Sequence, residues 1–184
     1  MVAVDRLPVT IQGFSPALAP HFHRLNAEWL QRFFSIEPID EEILRDPFSR
    51  IVQPGGEILF AQQGADVVGT CALKVSAPGE HQFELTKMAV TARVQRRGIG
   101  RLLLEAALAS YRILQGRSLF LETNSQLKPA IRLYESVGFR QQPHPQGASV
   151  YQRADVYMVY DPHFQRGSTA CCNFVPAART VVSN

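Results

Sequence analysis

Gln95-Arg96-Arg97-Gly98-Ile99-Gly100-Arg101 joins an apolar, strand-favouring run, Phe83 to Val90, to a long amphipathic helix that begins near Gly98. A helix N-terminus carries four backbone N–H groups without intrahelical acceptors and about half a positive charge. An anion placed there is bound by the backbone itself. No proline lies between Gln95 and Arg101, so no donor is missing from the turn. Gly98 and Gly100 permit a tight turn and close approach to a ligand, and Arg96, Arg97 and Arg101 add positive charge. Strand, basic glycine turn and helix predict a phosphate site.

Two common phosphate motifs do not fit. The dinucleotide fingerprint wants a third Gly or Ala where Leu103 stands, and GxxxxGK[ST] is absent. Gln95-x-x-Gly98-x-Gly100 instead resembles the Q/R-x-x-G-x-G/A signature of the acyl-CoA-dependent N-acyltransferases called GNAT. Glu84-Leu-Thr-Lys-Met-Ala-Val90 resembles the family's fourth strand, and Leu121-Glu-Thr-Asn124 its fifth strand and the loop leaving it. Ala130-Ile-Arg-Leu-Tyr-Glu-Ser-Val-Gly-Phe139 is similar to the A-x-x-L-Y-x-x-x-G-F block. The resemblance covers roughly residues 57–160, with the blocks in the family's order.

The resemblance implies an α/β (α+β) fold: a mixed, mostly antiparallel sheet with a splayed central strand pair, flanked by helices. It implies acetyl transfer from acetyl-CoA to a primary amine of a small molecule or peptide by direct attack, without a metal. The alternative is a non-catalytic acyl-CoA-binding sensor or regulatory protein of the same fold. In the family pattern the pyrophosphate rests on Gln95, Arg96, Arg97, Gly98, Ile99, Gly100 and Arg101. The backbone of Met88, Ala89 and Val90 takes the pantetheine arm; the side chains of these three read simply as strand core. Asn124 would hydrogen-bond the arm, and the small Ala130 lets the last helix approach it. Glu84 would deprotonate the amine, and burial in an apolar strand would raise its basicity; a solvated strand-face glutamate is the other reading. Glu122 is a weaker rival. Tyr134, one turn after Ala130, would donate a proton or hydrogen bond to the departing thiolate; a packing tyrosine is its other reading. Lys87, odd in a buried strand, receives no role.

At 184 residues and 20.5 kDa, with 46% hydrophobic and 19% charged residues, the chain suits one globular domain. Residues 1–164 are assigned to it and 165–184 to a tail. A net charge of +3 does not suggest nucleic-acid binding. No run of 18 apolar residues and no leader pattern appears, so a cytoplasmic protein without membrane attachment is expected. A homodimer is left open. Cys71, Cys171 and Cys172 have neither metal-ligand spacing nor an even count. Strands are expected at Val9–Phe14, Glu57–Gln63, Val67–Ser76, His81–Val90, Ser118–Thr123 and Ala154–Tyr160. Helices are expected from Ala19 to Phe34, at Asp40–Leu44, from Gly98 to Gln115 with Gly116 as cap, and from Pro129 to Gly138. Gln141–Gly147 reads as loop. Trp29, Phe33 and Phe34 belong to the first helix's core face, and by resemblance also to the acceptor wall.

Overall fold

The apolar runs build a seven-stranded sheet in a computed structural model that describes residues 7–77 and 79–164. In chain order the strands are β1 (Val9–Gly13), β2 (Glu57–Gln63), β3 (Asp66–Ala77), β4 (Gln82–Val90), β5 (Ser118–Thr123), β6 (Phe139–Gln142) and β7 (Val156–Tyr160). The α-helices are α1 (Ala19–Phe33), α2 (Pro38–Arg45), α3 (Ile99–Ile113) and α4 (Lys128–Glu135). The assigned tail lies outside the described residues. Among the described residues no helix is long and apolar enough to cross a membrane, and no group of three His, Cys, Asp or Glu could hold a metal.

The spatial order is β1-β2-β3-β4-β5-β7-β6, antiparallel at every junction except the parallel β4–β5 pair. The face under α3 is closed by Leu85, Leu103, Leu104, Ala107, Leu119 and Leu121. Phe22, Leu25 and Leu30 of α1 close the other face with Ile43 and Leu44 of α2. Even-numbered Glu84 and Thr86 therefore face α1, because alternate residues of a strand share a face.

Two irregularities open this sheet. β4 and β5 pair only at Gln82–Ser118, Phe83–Leu119 and Glu84–Phe120, after which the strands part. Between Thr70–Ala89 and Ala72–Thr86, Lys87 and Met88 oppose the single residue Cys71, a β-bulge with Lys87 at φ 51°. A bulge bends its strand and shifts the alternation by one. Lys87 thus joins Thr86 on the α1/α2 side, where regular pleating would have sent its ammonium into the α3 core.

Three local expectations need correction. Gln141 and Gln142 are not loop: they extend the edge strand β6, which pairs with β7 and is anchored by buried Phe139, while Arg140–Gln142 face solvent. The last strand begins at Val156, two residues late. Gly116 is not the residue that turns α3: Gln115 takes the positive φ of 55°. Gly116 is required instead because a Cβ there would lie 2.0 Å from the Tyr111 ring.

Candidate active site

The basic turn is built as two left-handed residues, Arg96 at φ 64° and Gly98 at φ 82°, directly before α3. Alternation of this kind makes a concave row of backbone N–H groups. The first intrahelical bond runs from Leu102 N–H to the Gly98 carbonyl at 3.1 Å. Ile99, Gly100 and Arg101 therefore have N–H groups that the helix does not use. The Gln95 amide donates to the Val90 carbonyl at 2.9 Å and ties the turn to the end of β4. The Arg101 guanidinium bends away to Ser136 Oγ at 2.9 Å and to Glu105 at 3.7 Å. The Arg101 side chain is thus engaged within the protein.

Where β4 and β5 part, a cleft opens that brings together Glu84, Met88, Asn124 and Tyr134. The Glu84 side chain is 8% exposed and its carboxylate accepts from Lys74 Nζ at 3.2 Å, a partner 10 residues away that sequence reasoning did not supply. Tyr134 stands across from it on α4, its hydroxyl 3.9 Å from Met88 Sδ and its ring edge-on to Phe139. Burial pushes the Tyr134 hydroxyl up to about 12, so it is a donor at neutral pH. The Asn124 amide donates to the Arg153 carbonyl at 2.6 Å, and its oxygen accepts from Gln126 N–H at 2.9 Å, the pattern of a turn-holding residue. Ala89 is buried in the core beneath α1, while Val90 and Ala130 lie outside the cleft wall.

Opposite the opening, α1 supplies an apolar wall of Trp29 and Leu30, continued by Phe34. Phe33 is 44% exposed and points elsewhere, under the Arg32 guanidinium. The floor is charged. Asp40, fully buried at the first turn of α2, accepts from Lys87 Nζ at 2.7 Å and from both terminal nitrogens of Arg153 at 2.7 and 2.8 Å. Glu37 completes the group, 2.9 Å from Arg153 Nη1. Tyr151 lies between the two cations, with Lys87 Nζ 4.7 Å and the Arg153 guanidinium 4.8 Å from its ring centre. Burial acts to raise the Asp40 carboxyl, but the Arg153 hydrogen bonds and the Lys87 charge outweigh it and hold it below the usual range. Burial also pushes the Lys87 ammonium down, against the pull of Asp40.

Asp40, Arg153 and Glu37 were not anticipated as site residues. The only trace of them in the sequence was Lys87, a charge inside an apolar strand that had to find a partner.

The chain matches the family model described as "Acetyltransferase (GNAT) family" over residues 22–139. No curated protein matches its sequence. Among solved structures, a GNAT-family acetyltransferase from Staphylococcus aureus Mu50 superposes with a TM-score of 0.74 at 17% identity, over 83% of this chain and 98% of its own. YncA from Salmonella typhimurium, a putative acetyltransferase solved with acetyl-CoA, gives 0.66 at 21% identity over 89% and 99%. The ribosomal-protein-S18-alanine N-acetyltransferase of Escherichia coli gives 0.63 at 22% identity over 91% and 99%. These likenesses show the fold; the family model, spanning more than half the chain, shows the lineage. The chain belongs to the GNAT family of acetyltransferases.

Proposed function

We propose that this protein transfers the acetyl group of acetyl-CoA to a primary amine of a small molecule or peptide by direct attack. The observation that carries the reading is the parting of β4 and β5 immediately after Glu84, in a cleft that Tyr134 also lines, on the strand that runs on into the Gln95–Arg101 turn. An extended ligand arm has room between the strands, with backbone donors along one side and its anionic end on the turn. Acetyl-CoA fits that description and supplies the activated acetyl group as a thioester.

Glu84 takes the proton that the amine loses as its nitrogen bonds to the acetyl carbon. Backbone N–H groups of β4 around Met88, on the side that β5 leaves unpaired, stabilise the charge that develops on the carbonyl oxygen. Such donors contribute about 2.7–4 kcal/mol each where they have been removed singly. The C–S bond breaks last, and Tyr134 donates a hydrogen bond to the departing sulfur. Complete proton transfer from Tyr134 is unfavourable, because burial pushes its hydroxyl up to about 12, above an ordinary thiol at ~8.5. The tyrosine therefore stabilises sulfur charge without giving up its proton. Tyr134→Phe is expected to lower kcat about 10- to 100-fold, as for loss of one hydrogen bond to a charged group, with KM for acetyl-CoA little changed. Wild-type turnover in that variant would leave Tyr134 as a packing residue.

The acyltransferase reading is tested by thiol release from acetyl-CoA with a panel of amines. A non-catalytic binder would give a ligand-induced melting shift and no thiol. Gly98→Val combined with Gly100→Val tests the turn. Valine at φ 82° is strained at position 98, and at position 100 even a Cβ already meets Leu133 and Met88 at 3.4 Å. The double variant is expected to lose the acetyl-CoA melting shift, worth about 2.7 kcal/mol at a hundredfold excess over Kd. A folded double variant with an undiminished shift would remove the turn from the binding site.

A further inference from the structure

We propose that Glu122 binds a second cationic group of the acceptor, so that the cleft selects amines bearing two positive charges over simple monoamines. This rests on reading the cleft as the acceptor site.

Glu122 lies on β5 beyond its last pairing with β4, and its side chain is 9% exposed. It lines both the cleft and a second cavity of about 240 Å³, which lies between residues 142–149 and the start of β7. The carboxylate is oriented by two side-chain donors, each fixed by a backbone N–H. Gln146 N–H donates to His144 Nδ1 at 3.2 Å. The imidazole proton is thereby assigned to Nε2, which donates to Glu122 Oε1 at 2.7 Å. Tyr151 N–H donates to Ser149 Oγ at 2.9 Å, leaving the hydroxyl proton for Glu122 Oε2.

Glu122 is thus a part-buried carboxylate without a lysine or arginine counter-charge. The other cleft carboxylates have one: Lys74 for Glu84, Lys87 and Arg153 for Asp40. Among the described residues no lysine or arginine pairs with Glu122. A carboxylate largely withdrawn from water gains from an opposite charge, and a ligand cation entering the cleft supplies one. A carboxylate has about four acceptor positions; His144 and Ser149 occupy two. The spacing also suits a dication. Glu84 is level with Phe120, and Glu122 is two residues further on the same face, about 7 Å along the strand. One amine can approach Glu84 while a second ammonium or guanidinium, joined to it by a short apolar spacer, reaches Glu122.

The test is calorimetric titration of CoA-saturated protein with putrescine and with butylamine, which share a four-carbon body and differ by one ammonium. Putrescine is expected to bind about tenfold tighter or better. Glu122→Gln should abolish that preference while keeping the wild-type acetyl-CoA melting shift. Equal affinity of the two amines for wild-type protein overturns the proposal without any variant, as does a preference that survives Glu122→Gln. Thiol release with the same amines separates the two readings. Putrescine preference with no thiol released from any amine would sink the acetyltransferase reading and leave the dication site standing. Turnover without the preference would do the reverse.

Discussion

Glu84→Gln is expected to slow turnover by about 10²-fold or more near pH 7 while leaving acetyl-CoA binding intact. An alkyl ammonium with a pKa of ~10.4 is deprotonated only to roughly one part in a few thousand at that pH. Removing its proton inside the cleft is therefore a substantial part of the barrier. Glu84 is the last residue of β4 that pairs with β5, so its carboxylate sits at the apex of the opening, on the face shared with α1. The backbone around it is held on both sides and the side chain is 8% exposed, which fixes its position better than a loop could. Glutamine keeps the length and one acceptor oxygen but cannot receive a proton. Lys74 would then lose its charge partner, yet it is 29% exposed and can turn to water, so the fold should tolerate the change. The pH–rate profile checks the assignment. If Glu84 is the base, the variant's rate should track the free-amine fraction, rising tenfold per pH unit with no acidic plateau of its own. An unchanged profile would move the role to water or to another group. Glu122, which also lines the cleft, is the rival candidate.

What could be read in advance follows how local the cause was. The Gln95–Arg101 turn was legible because glycine spacing, basic side chains and a helix start lie within seven consecutive residues. The hairpin of β2 and β3 was legible for the same reason, with Gly64 and Ala65 between two apolar runs. The parting of β4 and β5 was available only through resemblance, since nothing in Leu85 or Leu121 says where a ladder of hydrogen bonds stops. The bulge at Lys87 was illegible: lysine does not favour a φ of 51°, and the conformation is imposed by the contacts it permits. Those contacts join residues 47 and 113 positions apart, Asp40 with Lys87 and Asp40 with Arg153. Asp40 itself read as an ordinary first-turn acid of a short helix, which it also is: its carboxylate accepts from Glu37 N–H at 3.0 Å. Its second task, neutralising two cations from β4 and the 151–154 segment, has no local signature.

That second task makes Asp40→Asn the variant with the largest expected effect on stability, a loss of about 3–5 kcal/mol, the range for removing one partner of a buried charge group. Asparagine fills the same space and can still cap α2, so the loss isolates the charge. It leaves Lys87, 4% exposed at its side chain, facing an amide and the Tyr151 ring. Two features set the value near the lower end of the range. Lys87 is already pushed below the ordinary lysine value by burial and can shed its proton, and Arg153 retains Glu37 at 2.9 Å. The sign of the pH dependence follows from Asp40 itself. Its folded-state value is lowered from 3.8, so the unfolded chain binds the extra proton. The stabilisation is fully present above that unfolded value and is lost as pH falls through the lower folded one. Urea unfolding at pH 7 measures the effect as a lower midpoint at unchanged slope. Asp40→Asn with Lys87→Met should recover part of the loss, because the second change removes the stranded ammonium and replaces it with a chain of similar volume. Strict additivity of the two would mean that the ion pair contributes nothing to the fold. The network is also the floor of the cleft, facing the apolar wall from α1. Weakening it should therefore raise KM for the amine more than KM for acetyl-CoA, whose proposed contacts lie along β4 and the basic turn.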